Sequence, residues 1–422
     1  MANPWAIIVG AGPSGLLLAL LLSRQGVPVQ VVEANDDLDD RPRATHYGGP
    51  AVYELRRAGV VDDVRRQGFE PEGVQWRKLD GTYITGLSHH VLPAEDPDKM
   101  ICLPLNQLGK ILLSHLESQP CATISWNYKV ISISQDADLA YVEVDTPAGR
   151  EKLHAPYIVG CDGANSQIRR SLFGDLNFPG KTWDDNLVAT NIYFDFKKHG
   201  YGDANFVIDP EHWHMAARIS KDGMWRVTYG DLPNLTPEQL LARQPAKFQA
   251  LLPGNPSPES GAYRVANISP YRVHQRLAER MRVGRFLLAA DAAHLCNPMG
   301  GLGLTGGIVD IGGLYDCLIG IFKGLTSPAI LDRYDQVRRD VYNSMINPIS
   351  SSNLVRLSQD PANVLEVDEF LQMCKRGESD PDLVCEILQG VKNLSHDFTK
   401  DYDSSVKEKS SFEVEGEVVS VN

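Results

Sequence analysis

Residues 5–34 read WAIIVGAGPSGLLLALLLSRQGVPVQVVEA. Residues 5–9 are a continuous apolar run, as in a parallel strand buried on both faces. Residues 16–25 are rich in helix formers and stop at Gly26, with Pro28 just beyond, which is the usual end of a helix. Residues 29–32 then read as a second parallel strand. Together they predict a βαβ unit with Gly10-Ala11-Gly12-Pro13-Ser14-Gly15 at its first turn.

Each glycine of that turn has a physical task. Gly10 allows the tight bend, Gly12 lets a pyrophosphate approach the backbone, and Gly15 lets helix pack on strand. At Ser14 the helix N-terminus turns unpaired N–H groups and the positive end of its dipole toward phosphate. Glu33 ends the second strand, followed by Ala34. A carboxylate there accepts hydrogen bonds from ribose hydroxyls and repels a 2′-phosphate, so the pattern predicts bound FAD or NAD rather than NADP. The plainer alternative is a glycine-rich structural turn.

Working outward, the chain has 422 residues, with 41 Lys and Arg against 54 Asp and Glu, a net charge of −13. At roughly 150 residues per domain this length allows two or three domains. The acidic balance argues against a nucleic-acid partner, which needs clustered cations. The apolar stretch after Trp5 is broken by glycines and lacks a basic leader, so neither a targeting signal nor a membrane span is expected. The seven scattered cysteines form no CxxC pair and read as reduced thiols of a cytoplasmic protein.

The rest of the chain suggests an α/β fold. Residues 36–49 read as a polar loop, 51–58 and 108–117 as helices, 124–134 and 141–146 as antiparallel strands, and 157–160 as a strand leading into Asp162-Gly163. Residues 187–229, rich in aromatic and β-branched side chains, predict a mainly antiparallel sheet inserted between nucleotide-binding segments. A strand at 285–290, a glycine turn and a helix at 305–324 return to the nucleotide pattern. The expected divisions are a Rossmann-like domain at 1–180 and 271–345, a substrate-binding sheet at 181–270, a helical region at 346–398, and a disordered tail at 399–422.

Two further motifs give the turn its meaning. One is Gly284 to His294 (GRFLLAADAAH) followed by Asn297 to Thr305 (NPMGGLGLT); the other is Tyr157 to Arg170 (YIVGCDGANSQIRR). With the first turn they resemble, in order and over roughly residues 5–345, the group A flavin-dependent aromatic hydroxylases typified by p-hydroxybenzoate hydroxylase. The resemblance implies that FAD occupies the single Rossmann-type site and NAD(P)H binds transiently as electron donor. It also implies that O₂ adds at the flavin C4a and the hydroperoxide hydroxylates a phenolic, aromatic or polyketide-like small molecule, often in natural-product tailoring. Cofactor contacts are then expected at Gly10, Gly12, Ser14, Gly15, Glu33, Ala34, Arg43, Asp162, Asp291, Gly300, Gly301, Gly303 and Leu304. Pro298 would turn its carbonyl to the reaction site. Ala290, Leu302, Thr305 and Leu105 depart from the family's usual residues and put individual contacts in question, with Asn106 or Gln107 as replacements for the last.

Near the substrate, strand alternation puts His212, His214, Ala216 and Arg218 on one face, and Arg226, Thr228 and Gly230 opposite Trp225, Val227 and Tyr229. His214, Arg218, Arg226 and Tyr229, with Pro298 of the glycine loop, are the expected catalytic residues. A histidine can deprotonate a phenol, although core or solvent-facing histidines fit the same pattern. His294 reads as structural. Arg43 could follow the flavin or simply answer Asp36 to Asp40. No cluster has metal-ligand spacing and no GxSxG elbow is present. The expected partners are a small aromatic substrate and O₂, in a monomer or homodimer. The rivals are an oxidase or reductase without oxygen insertion and a non-catalytic flavin-fold binding protein.

Overall fold

A computed structural model describes residues 3–403. Its first layer is a six-stranded sheet in the order Arg282–Val283, Phe286–Leu288, Tyr157–Gly160, Ala6–Val9, Val29–Glu33, Ala122–Trp126. All neighbours in it run parallel except the short first strand. Ala6–Val9 lies at the centre and is buried along its length, as an unbroken apolar strand must be when both faces are covered. The helix Pro13–Ser23 follows it and packs beside the helix Leu302–Phe322 in the largest core cluster. Leu302–Phe322 is the one helix among the described residues long and apolar enough to cross a membrane, and 83% of its apolar window is buried inside the protein.

The second layer is an eight-stranded, largely antiparallel sheet. Its centre is formed by Gly180–Tyr193, Met224–Asp231 and His214–Arg218, with the long strand Arg264–Leu277 on one side and Ala204–Ile208 on the other. Gly73–Lys78 and Tyr83–Ser88 also belong here, because Gly73–Lys78 pairs in parallel with Ala204–Ile208. The sheet therefore draws on residues well before 181, inside the segment 1–180 assigned to the first part of the nucleotide-binding domain; that pairing joins stretches some 130 residues apart, which no local pattern reports.

Ala122–Trp126 joins the parallel sheet, and the antiparallel pattern begins only at Lys129–Gln135, within a separate three-stranded sheet with Ala140–Thr146 and Gly149–Ala155. After Leu302–Phe322 the chain is helical to Gln389. The expected disorder does not begin at 399: Phe398 is fully buried and the Tyr402 hydroxyl donates to the Asp316 carbonyl at 2.6 Å. The remainder of that tail, 404–422, lies outside the described residues. All seven cysteines are free thiols.

Candidate flavin site and substrate face

At the first turn Gly10 has φ +106°, and a Cβ there would stand 2.6 Å from the Cys161 carbonyl oxygen. A Cβ at Gly15 would run into the Gly10 carbonyl, whereas one at Gly12 would meet nothing within 4 Å. The turn is therefore closed on its inner side and open where a pyrophosphate would lie. No side chain caps the helix Pro13–Ser23, which leaves its first-turn N–H groups to an outside acceptor. Glu33 accepts the Ala11 N–H at 2.8 Å through one oxygen and the Asn35 backbone and side-chain amides through the other. The oxygen that accepts Ala11 keeps a free lone pair, so Glu33 braces the turn and can still take a ribose hydroxyl. Ala34 is exposed beside it.

The second motif begins at Ala289-Ala290-Asp291. Ala290 has φ +54°, the left-handed region that favours glycine, which explains why a small residue is required there. Its N–H donates to Asp310 at 3.0 Å. Asp291 is exposed to solvent. The protein around its carboxyl raises its pKa by desolvation, opposed by the charges of His294 and Arg43. Gly300 and Gly301 both have positive φ, and Gly301 starts the long helix with no side-chain cap. The Pro298 carbonyl accepts the Gly301 N–H at 3.2 Å. Thr305 accepts the Gly48 N–H at 3.1 Å, so this departure from the family pattern joins the helix to the loop before Gly48. Gly303 and Leu304 are half-buried in the first turn.

Asp162, expected to contact the cofactor, is bonded within its own segment. Its carboxylate accepts the Ser166 hydroxyl at 2.6 Å and the Gln167 and Ile168 N–H groups at 2.6 and 3.2 Å. Both oxygens serve the start of the helix Gln167–Phe173, so Asp162 shapes the segment from within.

The loop at 41–45 is held from two sides. Asn106 donates to the Asp40 carbonyl at 3.0 Å, and the guanidinium of Arg226 donates to the carbonyls of Pro42 and Arg43. The Arg43 side chain ion-pairs with Asp39 at 2.9 Å while its charge still reaches Asp291. Arg226 thus ties the eight-stranded sheet to the loop, with Asn191 accepting its Nε–H at 3.1 Å.

Register decides which face of that sheet looks at the flavin motifs. Thr228 pairs with Met215 and Ala189, and Gly230 with Leu187, which pairs in turn with Tyr271. These residues share the face of Arg226. On it Leu187 belongs to a core cluster with Met299 from the glycine loop, and Trp213 lies against Gly230. The opposite face carries His214, Ala216, Val227 and Tyr229, covered by the helix Pro237–Leu251 through Leu240, Phe248 and Leu251.

Similarity to known proteins agrees with this geometry. The family described as "FAD binding domain" matches residues 5–348. A para-nitrophenol 4-monooxygenase of Pseudomonas sp. (strain WBC-3) is 37% identical over 391 residues, 92% of this chain and 95% of that one. The chain belongs to the group A FAD-dependent aromatic hydroxylases. A 6-hydroxy-3-succinoylpyridine 3-monooxygenase of Pseudomonas putida is also 37% identical, over 83% of the hydroxylase and 88% of its own length. The crystal structure of p-nitrophenol 4-monooxygenase from Pseudomonas putida superposes with a TM-score of 0.87 at 38% identity, covering 93% of this chain and 98% of that one. The cofactor is FAD. The open backbone at Gly12, the uncapped helix, Glu33 and the exposed Asp291 fit it.

Three of the five residues expected to be catalytic lie on the covered face of the hydroxylase's sheet. His214 is fully buried under the helix Pro237–Leu251, its Nδ1 2.9 Å from the His212 carbonyl, and burial lowers its pKa to about 4. Tyr229 is fully buried against Phe248. His212 precedes the strand and does not share its alternation. Arg218, also on that face, pairs with the buried Asp203 at 2.9 Å and covers the Phe69 ring. Arg226 alone faces the flavin loop. Sequence reasoning missed Tyr271 and Asn191 on the face of Arg226. The usable signal was that Trp225, Val227 and Tyr229 form the more apolar side, the side a helix covers. Among the described residues no cluster could hold a metal.

Proposed function

We propose that the hydroxylase acts on a small phenol whose only acidic group is the reacting hydroxyl. One observation carries this reading. Between Leu187 and Asn191, Met215 and Ala217, and Arg226 and Gly230, the face toward the flavin loop is apolar or neutral apart from Arg226. Arg226 is already committed to Asn191 and to the Pro42 and Arg43 carbonyls. A substrate carboxylate would find no free cation there, and burying one without a partner is costly. Tyr271, 36% exposed, offers a hydroxyl for a neutral or weakly acidic ring substituent. The phenol taken by the para-nitrophenol relative is of this kind.

Bound FAD would relay two electrons from NAD(P)H to O₂, placing one oxygen atom on the substrate ring and releasing the other as water. The chain's own part is to bind and orient. The glycine turn and helix N-terminus would hold the pyrophosphate, Glu33 the ribose, and Asp291 the flavin's polyol chain, while Arg226 fixes the loop beside them. The reading is tested by NADH and NADPH oxidation with a panel of phenols matched in size. Neutral para-substituted phenols should stimulate turnover, and phenols carrying a carboxylate side chain should not. Equal or better stimulation by the carboxylates would overturn it.

A further inference from the structure

Beneath the second flavin motif lies a buried cluster of charges contributed by more distant parts of the chain. Asp310, on the helix Leu302–Phe322, is fully buried. One of its oxygens accepts the Ala290 N–H at 3.0 Å and meets His294 Nε2 at 2.7 Å; the other accepts Arg338 Nε–H at 2.6 Å. Arg338 is 1% exposed and also donates to the Leu394 carbonyl at 2.5 Å and the Gly306 carbonyl at 3.4 Å. Burial pushes the Asp310 carboxyl up, but His294 and Arg338 outweigh it and bring it down to about 2. The carboxylate therefore stays charged.

The arrangement brackets one residue. Asp310 holds the amide just before Asp291 and the imidazole three residues after it, while Asp291 itself makes none of these bonds and is exposed. Ala290 needs such a hold because its φ of +54° is unfavourable for any residue with a Cβ. Gly307, one turn before Asp310, leaves room for the Ala290 methyl: a Cβ there would stand 2.8 Å from it.

We infer that Asp310 is a positioning residue of the flavin site, fixing the Ala290 to His294 turn so that Asp291 is presented to the cofactor. The inference rests on the reading that Asp291 binds the flavin's polyol chain. Leu394, supplied by a segment beyond the matched family region, completes the cluster by satisfying Arg338.

The test is the FAD dissociation constant of the full-length protein, read by flavin fluorescence, with the Tm of the FAD-free protein alongside. Asp310→Asn and His294→Gln should each weaken FAD binding by about tenfold or more, as loss of an outer partner does for other bound groups. Adding Ala290→Gly to Asp310→Asn should recover most of that loss, because glycine takes the left-handed conformation without help. His294→Gln with Ala290→Gly gives the same comparison if Asp310→Asn does not fold. Two results would overturn the inference: unchanged FAD binding in both single variants, or weakened binding with a lower Tm and no recovery by Ala290→Gly. Asp291→Ala separates the two levels, since unchanged binding in that variant would overturn the reading of Asp291 itself.

Discussion

Glu33 and His214 show how far a residue's identity determines its role. Glu33 occupies the position its spacing from Gly15 requires, and its two oxygens already hold Ala11 and Asn35. Glu33→Ala should weaken FAD binding by roughly tenfold to a hundredfold, the value of hydrogen bonds to a charged group. Flavin occupancy equal to wild type in the purified variant would count against the placement. His214 is the opposite case, a residue with suitable chemistry on the wrong face. His214→Ala should leave kcat/KM within about twofold of wild type while lowering stability by about 1–3 kcal/mol. The pH dependence follows from its pKa of about 4 against an ordinary 6.5. Between those values the unfolded chain binds the extra proton, so stability is full above pH 6.5 and lost as pH falls toward 4. Wild type should lose about 2 kcal/mol on this account from pH 7 to 5. Replacing His214 with Phe should flatten that acid limb in part, because burial also lowers His46, to about 4, and depresses His89 and His274. An unchanged acid limb in denaturant titrations would contradict the assignment.

At the scale of elements, local patterns were legible wherever a single element carries the signal. The βαβ unit, the strand before Asp291 and the long helix after it all follow from apolar runs bounded by glycine. Asp162 was legible as a candidate cofactor contact from its motif, but not as the acceptor for three groups at the start of its own helix. The loop at 41–45 reads as polar and unstructured from its composition, and only the fold reveals that Arg226 holds two of its carbonyls. Arg226→Gln should release that loop. Because the partners are backbone atoms, FAD affinity should change by less than about threefold while the rate of flavin reduction by NAD(P)H falls by about tenfold or more. Stopped-flow reduction at wild-type speed would show that the tie has no part in catalysis.

For the whole molecule, the order of motifs along the chain predicted a nucleotide-binding sheet with a second sheet inserted, and the two sheets are present. What stayed hidden depends on contacts distant in sequence. Gly73–Lys78 pairs with Ala204–Ile208, which no spacing announces. The face covered by Pro237–Leu251 is set by where that helix packs, so alternation alone could divide the strand residues into two sets without telling which set meets substrate. Phe398 and Tyr402 dock on the long helix from a polar stretch of sequence, a match of shape that composition does not record. The central claim concerns the molecule as a whole, that it binds FAD and transfers one atom of O₂ to a phenol. The most direct measurement is mass spectrometry of the product formed from a stimulating phenol under ¹⁸O₂ with NADPH or NADH. The account predicts a single ¹⁸O atom on the product ring. Unlabelled product, or hydrogen peroxide formed in place of any hydroxylated product, would contradict it.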